Sequence, residues 1–141
     1  MFKKILSLFK EKEYPRLKGK SALVVDDGEV ERKLLQKILE RAGMRVFLAQ
    51  NGAEGVAAAL SQKPDVILMD HNMPELTGAE ACKRLKTNDE TKPIPVIILT
   101  GSDTPGNIIH SFDCGADQFL SKPVQRDTLL TQIEAFINTR V

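Results

Sequence analysis

Short unbroken apolar runs alternate along this chain with stretches in which apolar residues return every three or four positions. The first run, Ala22 to Val25, is closed by Asp26 and Asp27, and Val30, Leu34, Leu35, Ile38 and Leu39 then recur at helical spacing until Gly43. This predicts a strand followed by a helix. Arg45 to Ala49 alternates in part and is rich in β-branched and aromatic residues, which suits a second strand, and Asn51-Gly52 opens the helical pattern Val56, Ala59, Leu60. Pro64 ends that helix. Val66 to Met69 is the next apolar run, delivering Asp70 at its end, after which Pro74 and Gly78 bracket a loop into the helix of Ala81, Cys82 and Leu85. Pro95 to Leu99 repeats the theme and ends at Thr100, with Ile108, Ile109 and Phe112 marking a fourth helix. Asp117 to Leu120 reads as a short strand, Ser121-Lys122-Pro123 as a turn, and Leu129, Leu130, Ile133, Phe136 and Ile137 as an amphipathic closing helix.

Five strand-then-helix units in succession call for a parallel sheet, because parallel neighbours must be joined by crossovers and each crossover lays a helix on a sheet face. The expected fold class is therefore α/β, a doubly wound five-stranded parallel sheet. Unbroken apolar strands, rather than alternating ones, are what burial on both faces demands.

The first residues stand apart. Phe2, Ile5, Leu6 and Phe9 fall on one helical stripe, flanked by Met1 and Leu8, with Lys3, Lys4, Lys10 and Lys12 elsewhere. Pro15 and Gly19 then punctuate a basic link. The expectation is a basic amphipathic extension and linker over residues 1–19, separable from a domain over residues 20–141. Two uses of the stripe stay open: docking on an anionic membrane or a partner protein, or packing on the chain's own domain or a second copy.

Composition narrows the function classes. A chain of 141 residues has room for one sizeable core, and 20 Lys+Arg against 19 Asp+Glu leave a net charge of +1, so bulk electrostatics favour neither nucleic acid nor an acidic polymer. Cys82 and Cys114 lie far apart with no CxxC neighbour, which argues against a zinc site or disulfide framework and makes them small buried hydrophobes. No apolar run is long enough to span a bilayer, and a cytoplasmic location is expected.

The chemistry must then sit at the strand ends. Asp26, Asp27, Asp70 and Thr100 terminate three strands and Lys122 follows a fourth, and in open α/β sheets the binding crevice lies outside the carboxyl ends. Three crowded carboxylates repel one another, so either some protonate or a cation binds among them. Mg²⁺ suits such a set, since it takes carboxylate oxygens and leaves room for phosphate oxygens. Lys122 offers a compact positive charge to a carboxylate or a phosphoryl group, and Thr100 a hydrogen bond to the same group. His71 has no second nitrogen or thiol ligand near it in sequence and is expected as an exposed loop side chain; His110 is expected on a helix surface.

Taken in order, Asp26-Asp27, Asp70 with Met73-Pro74, Thr100-Gly101 and Gly115-Ala116-Asp117 leading to Lys122-Pro123 resemble the response-regulator receiver domain of bacterial two-component signalling, from about Ser21 to the end. The resemblance implies a flavodoxin-like strand order 2-1-3-4-5. It implies that Asp70 takes a phosphoryl group from a phosphohistidine on a sensor histidine kinase or histidine phosphotransfer protein. It further implies that Asp26, Asp27, Asp70 and the carbonyl of Asn72 hold Mg²⁺, with Lys122 and Thr100 on the phosphoryl oxygens. Thr100 and Phe119 would form a switch that repacks a surface for a downstream protein target, and Lys122-Pro123 would be cis. Such a protein is a monomer or weak dimer and acts on itself rather than as an enzyme on outside substrates. Gly28 and Gly101 stand where the family often has a polar residue and alanine, and Phe119 lacks the hydroxyl of a tyrosine.

Two other readings are distinguishable. A receiver could serve as a scaffold whose partner binding ignores phosphorylation. A Mg²⁺-dependent phosphatase also uses a strand-end aspartate, but no second Asp lies two residues after Asp70 to act as general acid.

Overall fold

The computed structural model describes residues 10–101 and 113–139. A 3-10 turn (Pro15–Leu17) precedes β1 (Ser21–Val25), α1 (Glu29–Arg41), β2 (Arg45–Ala49), α2 (Gly52–Gln62), β3 (Val66–Asp70), α3 (Gly78–Lys86), β4 (Val96–Thr100), β5 (Gln118–Ser121) and α4 (Arg126–Thr139). The strands form one parallel sheet in the order β2-β1-β3-β4-β5. The helix expected around Ile108, Ile109 and Phe112, together with His110, lies outside the described residues, as does the stripe of Phe2, Ile5, Leu6 and Phe9.

The three central strands are buried at every position, which is why their apolar runs do not alternate. Leu23, Val25, Ile67, Met69, Val96 and Ile98 face one core with α2 and α3. Ala22, Val24, Val66, Leu68, Ile97 and Leu99 face the other, with α1 and α4. The edge strands are only partly covered, and β2 leaves Leu48 exposed.

Two helix starts are fixed by side-chain caps that satisfy backbone N–H groups left over at the first turn. The Asn51 carboxamide accepts from the Glu54 N–H at 2.8 Å, and Thr77 with Glu80 forms a reciprocal capping box. The Gly78 N–H also donates to the His71 carbonyl at 3.0 Å, so α3 begins against the chain that leaves β3.

Part of the expected extension and linker packs on the domain. Tyr14 and Leu17 are buried in the core with Leu35, Leu39, Leu129 and Ile133. The Tyr14 hydroxyl donates to Asp127 Oδ1 at 2.8 Å, and Arg126 donates to the Lys12 carbonyl at 2.9 Å. The 3-10 turn around Pro15 presents Leu17 inward, giving a short basic segment one apolar anchor that its composition conceals. On α1 the stripe also divides: Leu35 and Leu39 are buried, whereas Val30 is 81% and Leu34 57% exposed.

Candidate functional site

Because β1 and β3 are hydrogen-bonded neighbours, Val25 pairs with Met69 and the residues after them meet at one sheet edge. Asp26 and Asp70 are 1% and 4% exposed, Asp27 is exposed, and one carboxylate oxygen from each lies within 4.8 Å of the others. β4 brings fully buried Thr100 to the same edge, paired with Ser121 of β5. The chain then turns through a cis Lys122-Pro123 bond, as the resemblance implies, with the Lys122 N–H donating to the Thr100 carbonyl at 2.7 Å.

Lys122 spans the acids. Its Nζ donates to Asp70 Oδ1 at 3.0 Å, to Glu31 Oε2 at 2.7 Å and to Asp26 Oδ2 at 3.4 Å. Burial by itself disfavours the ammonium, but the hydrogen bonds to Glu31 and Asp70 and the charges of Asp70 and Asp26 outweigh it, and the Lys122 pKa is raised. The carboxylates feel the opposite balance. Burial pushes Asp70 from 3.8 to about 6 against the pull of Lys122, with the neighbouring Asp26 charge adding to the rise. Asp26 is likewise raised by burial, although the Gly28 N–H donates to its Oδ1 at 2.8 Å. Glu31 is lowered by its hydrogen bond to Lys122.

Two buried acids raised by desolvation, an exposed third beside them and one shared ammonium form an oxygen-donor set with unmet demand for positive charge. A hard divalent cation fits it. Asn72, exposed in the following loop, donates its backbone N–H to Asp70 Oδ1 at 3.4 Å. Phe119 is half-buried on β5, opposite Ile98.

Three features were not legible in the residue pattern. Glu31 joins the site because α1 starts at Glu29, so its first turn sits over the acid pair; the two further acids, Glu29 and Glu31, soon after Asp26-Asp27 were the available signal. Arg32 donates to the Asp26 carbonyl at 2.7 Å. His71 is buried, not an exposed loop side chain as expected. Its N–H continues the β3–β4 ladder to Leu99 at 2.9 Å, and Gly78 packs against its backbone. A Cβ at Gly78 would run into the Asp70 carbonyl oxygen and the His71 Cα, so the absence of a side chain is what lets α3 start there. Cys82 and Cys114 are buried as expected, with Cys82 Sγ 3.7 Å from the Cys114 carbonyl.

Comparison with known proteins agrees with this geometry. The family model of the response regulator receiver domain matches residues 22–134. The chain belongs to that family. It is 44% identical over 115 residues to protein PilH of Pseudomonas aeruginosa, covering 82% of this chain and 95% of PilH. Among solved structures, the chemotaxis protein CheY4 of Vibrio cholerae superposes with a TM-score of 0.79 at 32% identity, covering 84% of this chain and 98% of that one. The receiver domain of a sensor histidine kinase of P. aeruginosa superposes with a TM-score of 0.81 at 29% identity, covering 86% and 99%, and holds a magnesium ion in its active-site cleft. The chain is thus a two-component receiver domain, a switch rather than a conventional enzyme. No helix among the described residues is long and apolar enough to cross a membrane.

Proposed function

We propose that this receiver is a cytoplasmic phosphoacceptor in a two-component phosphorelay, with Asp70 as its nucleophile. An Asp70 carboxylate oxygen attacks the phosphorus of a phosphohistidine on a sensor histidine kinase or histidine phosphotransfer protein. The new bond is P–O, the broken bond is P–N, and the imidazole departs, leaving an acyl phosphate on Asp70. The observation that carries this is the placement of the Lys122 ammonium 3.0 Å from an almost fully buried Asp70, with Asp26 and Asp27 alongside.

Asp26, Asp27, Asp70 and the Asn72 carbonyl would hold Mg²⁺, whose bound charge offsets that gathering on the phosphoryl oxygens. Before transfer Lys122 neutralises Asp70 and fixes its carboxylate; after transfer the same ammonium is placed to pair with a phosphoryl oxygen. Thr100 donates a hydrogen bond to another phosphoryl oxygen. Movement of Thr100 toward the phosphoryl group frees space into which Phe119 turns, and β5 with its neighbouring helices presents a changed surface to a downstream protein. Phe119 has no hydroxyl, so its inward state rests on packing.

Incubation with Mg²⁺ and acetyl phosphate tests the reading. Intact-mass spectrometry is expected to show one added phosphate on the wild type and none on Asp70→Asn. An unmodified wild type, or a phosphate retained by the Asn variant, overturns it.

A further inference from the structure

The Lys122 ammonium meets three carboxylates: Glu31 at 2.7 Å, Asp70 at 3.0 Å and Asp26 at 3.4 Å. The shortest contact is to the one acid that stands outside the cluster of Asp26, Asp27 and Asp70.

The start of α1 explains how Glu31 comes to be there. It is the third residue of the helix, the position from which a Glu ordinarily bends back to the backbone N–H of the capping residue, as Glu80 does to Thr77 in α3. At α1 the cap is Gly28, which has no side chain to offer, and its N–H donates instead to Asp26 Oδ1 at 2.8 Å. The Glu31 carboxylate is left to reach across the acid edge. Gly28 also keeps the way open, because a Cβ there would already lie 3.7 Å from Glu31 Oε2 and 3.8 Å from the Glu31 Cβ. The neighbouring Glu29 pairs with Lys33 at 2.8 Å, so the first turn gives one acid to the helix surface and one to the site.

The three partners of Lys122 differ in how they can respond to a phosphoryl group. Asp70 receives it. Asp26 is 1% exposed and held by the Gly28 N–H. The Glu31 side chain is 56% exposed on a flexible stem, so it can turn into water without leaving a buried charge behind.

We propose that Glu31 is a positioning residue that withholds Lys122, holding the ammonium before transfer and competing for it with the phosphoryl oxygens, so that uptake of phosphate at Asp70 is slowed. The proposal rests on the phosphoacceptor reading. Only hydrogen bonds exchange: the Lys122 N–H that faces Glu31 turns to a phosphoryl oxygen, water replaces it at the Glu31 carboxylate, and no proton is transferred. Because Glu31 is open to solvent, the contact acts as a surface ion pair, which corresponds to a change of about two- to fivefold in rate.

The test compares the full-length wild type with Glu31→Gln and Glu31→Asp. Gln keeps the reach and removes the charge, whereas Asp keeps the charge and is one methylene too short for the same contact. Without phosphodonor, heteronuclear NMR of the side-chain ammonium groups is expected to show the Lys122 signal moved by both substitutions and the Lys33 signal, paired with Glu29, in place. With acetyl phosphate and saturating Mg²⁺, intact-mass spectrometry is expected to show both variants taking up phosphate about two- to fivefold faster than the wild type. A Lys122 signal that neither substitution moves overturns the proposal, and so does equal or slower uptake by both variants. Faster uptake by only one of them also overturns it, since the contact needs both charge and reach; with Gln alone faster, plain repulsion of the donor is the cause. No uptake by any of the three proteins overturns the phosphoacceptor reading and the proposal with it, whereas slower uptake by the variants overturns the proposal alone.

Discussion

Replacing Asp70 with Asn should stabilise the metal-free protein, and should do so only where the carboxylate is ionised. Burial raises the Asp70 pKa from 3.8 to about 6. A raised carboxylate pKa means that the fold favours the protonated form, so its contribution is fully present below the unfolded value and is lost as pH rises through the folded one. Each tenfold change in proton affinity is worth about 1.4 kcal/mol, so this rise sets a ceiling of about 3 kcal/mol at neutral pH. Little of this is screened, since the side chain is 5% exposed, and Lys122 keeps Glu31 at 2.7 Å and Asp26 at 3.4 Å after the substitution. Urea unfolding with a chelator present is the assay, run from about pH 4 to about pH 7.5. The Asn variant is expected to gain about 1–3 kcal/mol at the upper end and a few tenths at the lower. Saturating Mg²⁺ should narrow the gap by stabilising wild type, by about 2.7 kcal/mol at a hundredfold excess over its Kd. A variant less stable than wild type at neutral pH, or a gain that does not change with pH, refutes the reasoning.

Leu17→Ala should cost about 2–5 kcal/mol, as for other fully buried leucines, and a loss below about 1 kcal/mol in the same unfolding assay would show residues 10–19 to be separable after all. Gly78→Ala forces a methyl group against the Asp70 carbonyl oxygen and should lower stability by about 1–3 kcal/mol, as overpacking does, while slowing uptake of phosphate from acetyl phosphate; an unchanged rate would mean that the start of α3 does not position Asp70.

The sheet was legible because β1, β3 and β4 are sealed on both faces, and nothing but an uninterrupted apolar run survives there. The same burial makes the acids at their ends conspicuous. What escaped the pattern depends on distances between elements. Leu17 looks like an isolated apolar residue in a basic linker until α1 and α4 close over it. Val30 and Leu34 belong to the same apolar series as Leu35 and Leu39, and only the position of the sheet shows that the first two face outward and the last two inward. Glu31 reads as a solvated helix charge, yet it shares the site lysine. His71 looks like a loop residue because the β3–β4 ladder runs one residue past the carboxylate, which an apolar-run reading cannot detect.

The division of α1 bears on how such a module diversifies. Its inward leucines are tied to the fold and its first turn to the acids, but Val30 and Leu34 contribute to neither. Substitutions there are nearly free of penalty for folding and for the reaction, so drift on that face can change which surfaces recognise the protein while its chemistry stays constant. A duplicated gene could acquire a new address in a few steps along one outward stripe, without passing through an inactive intermediate.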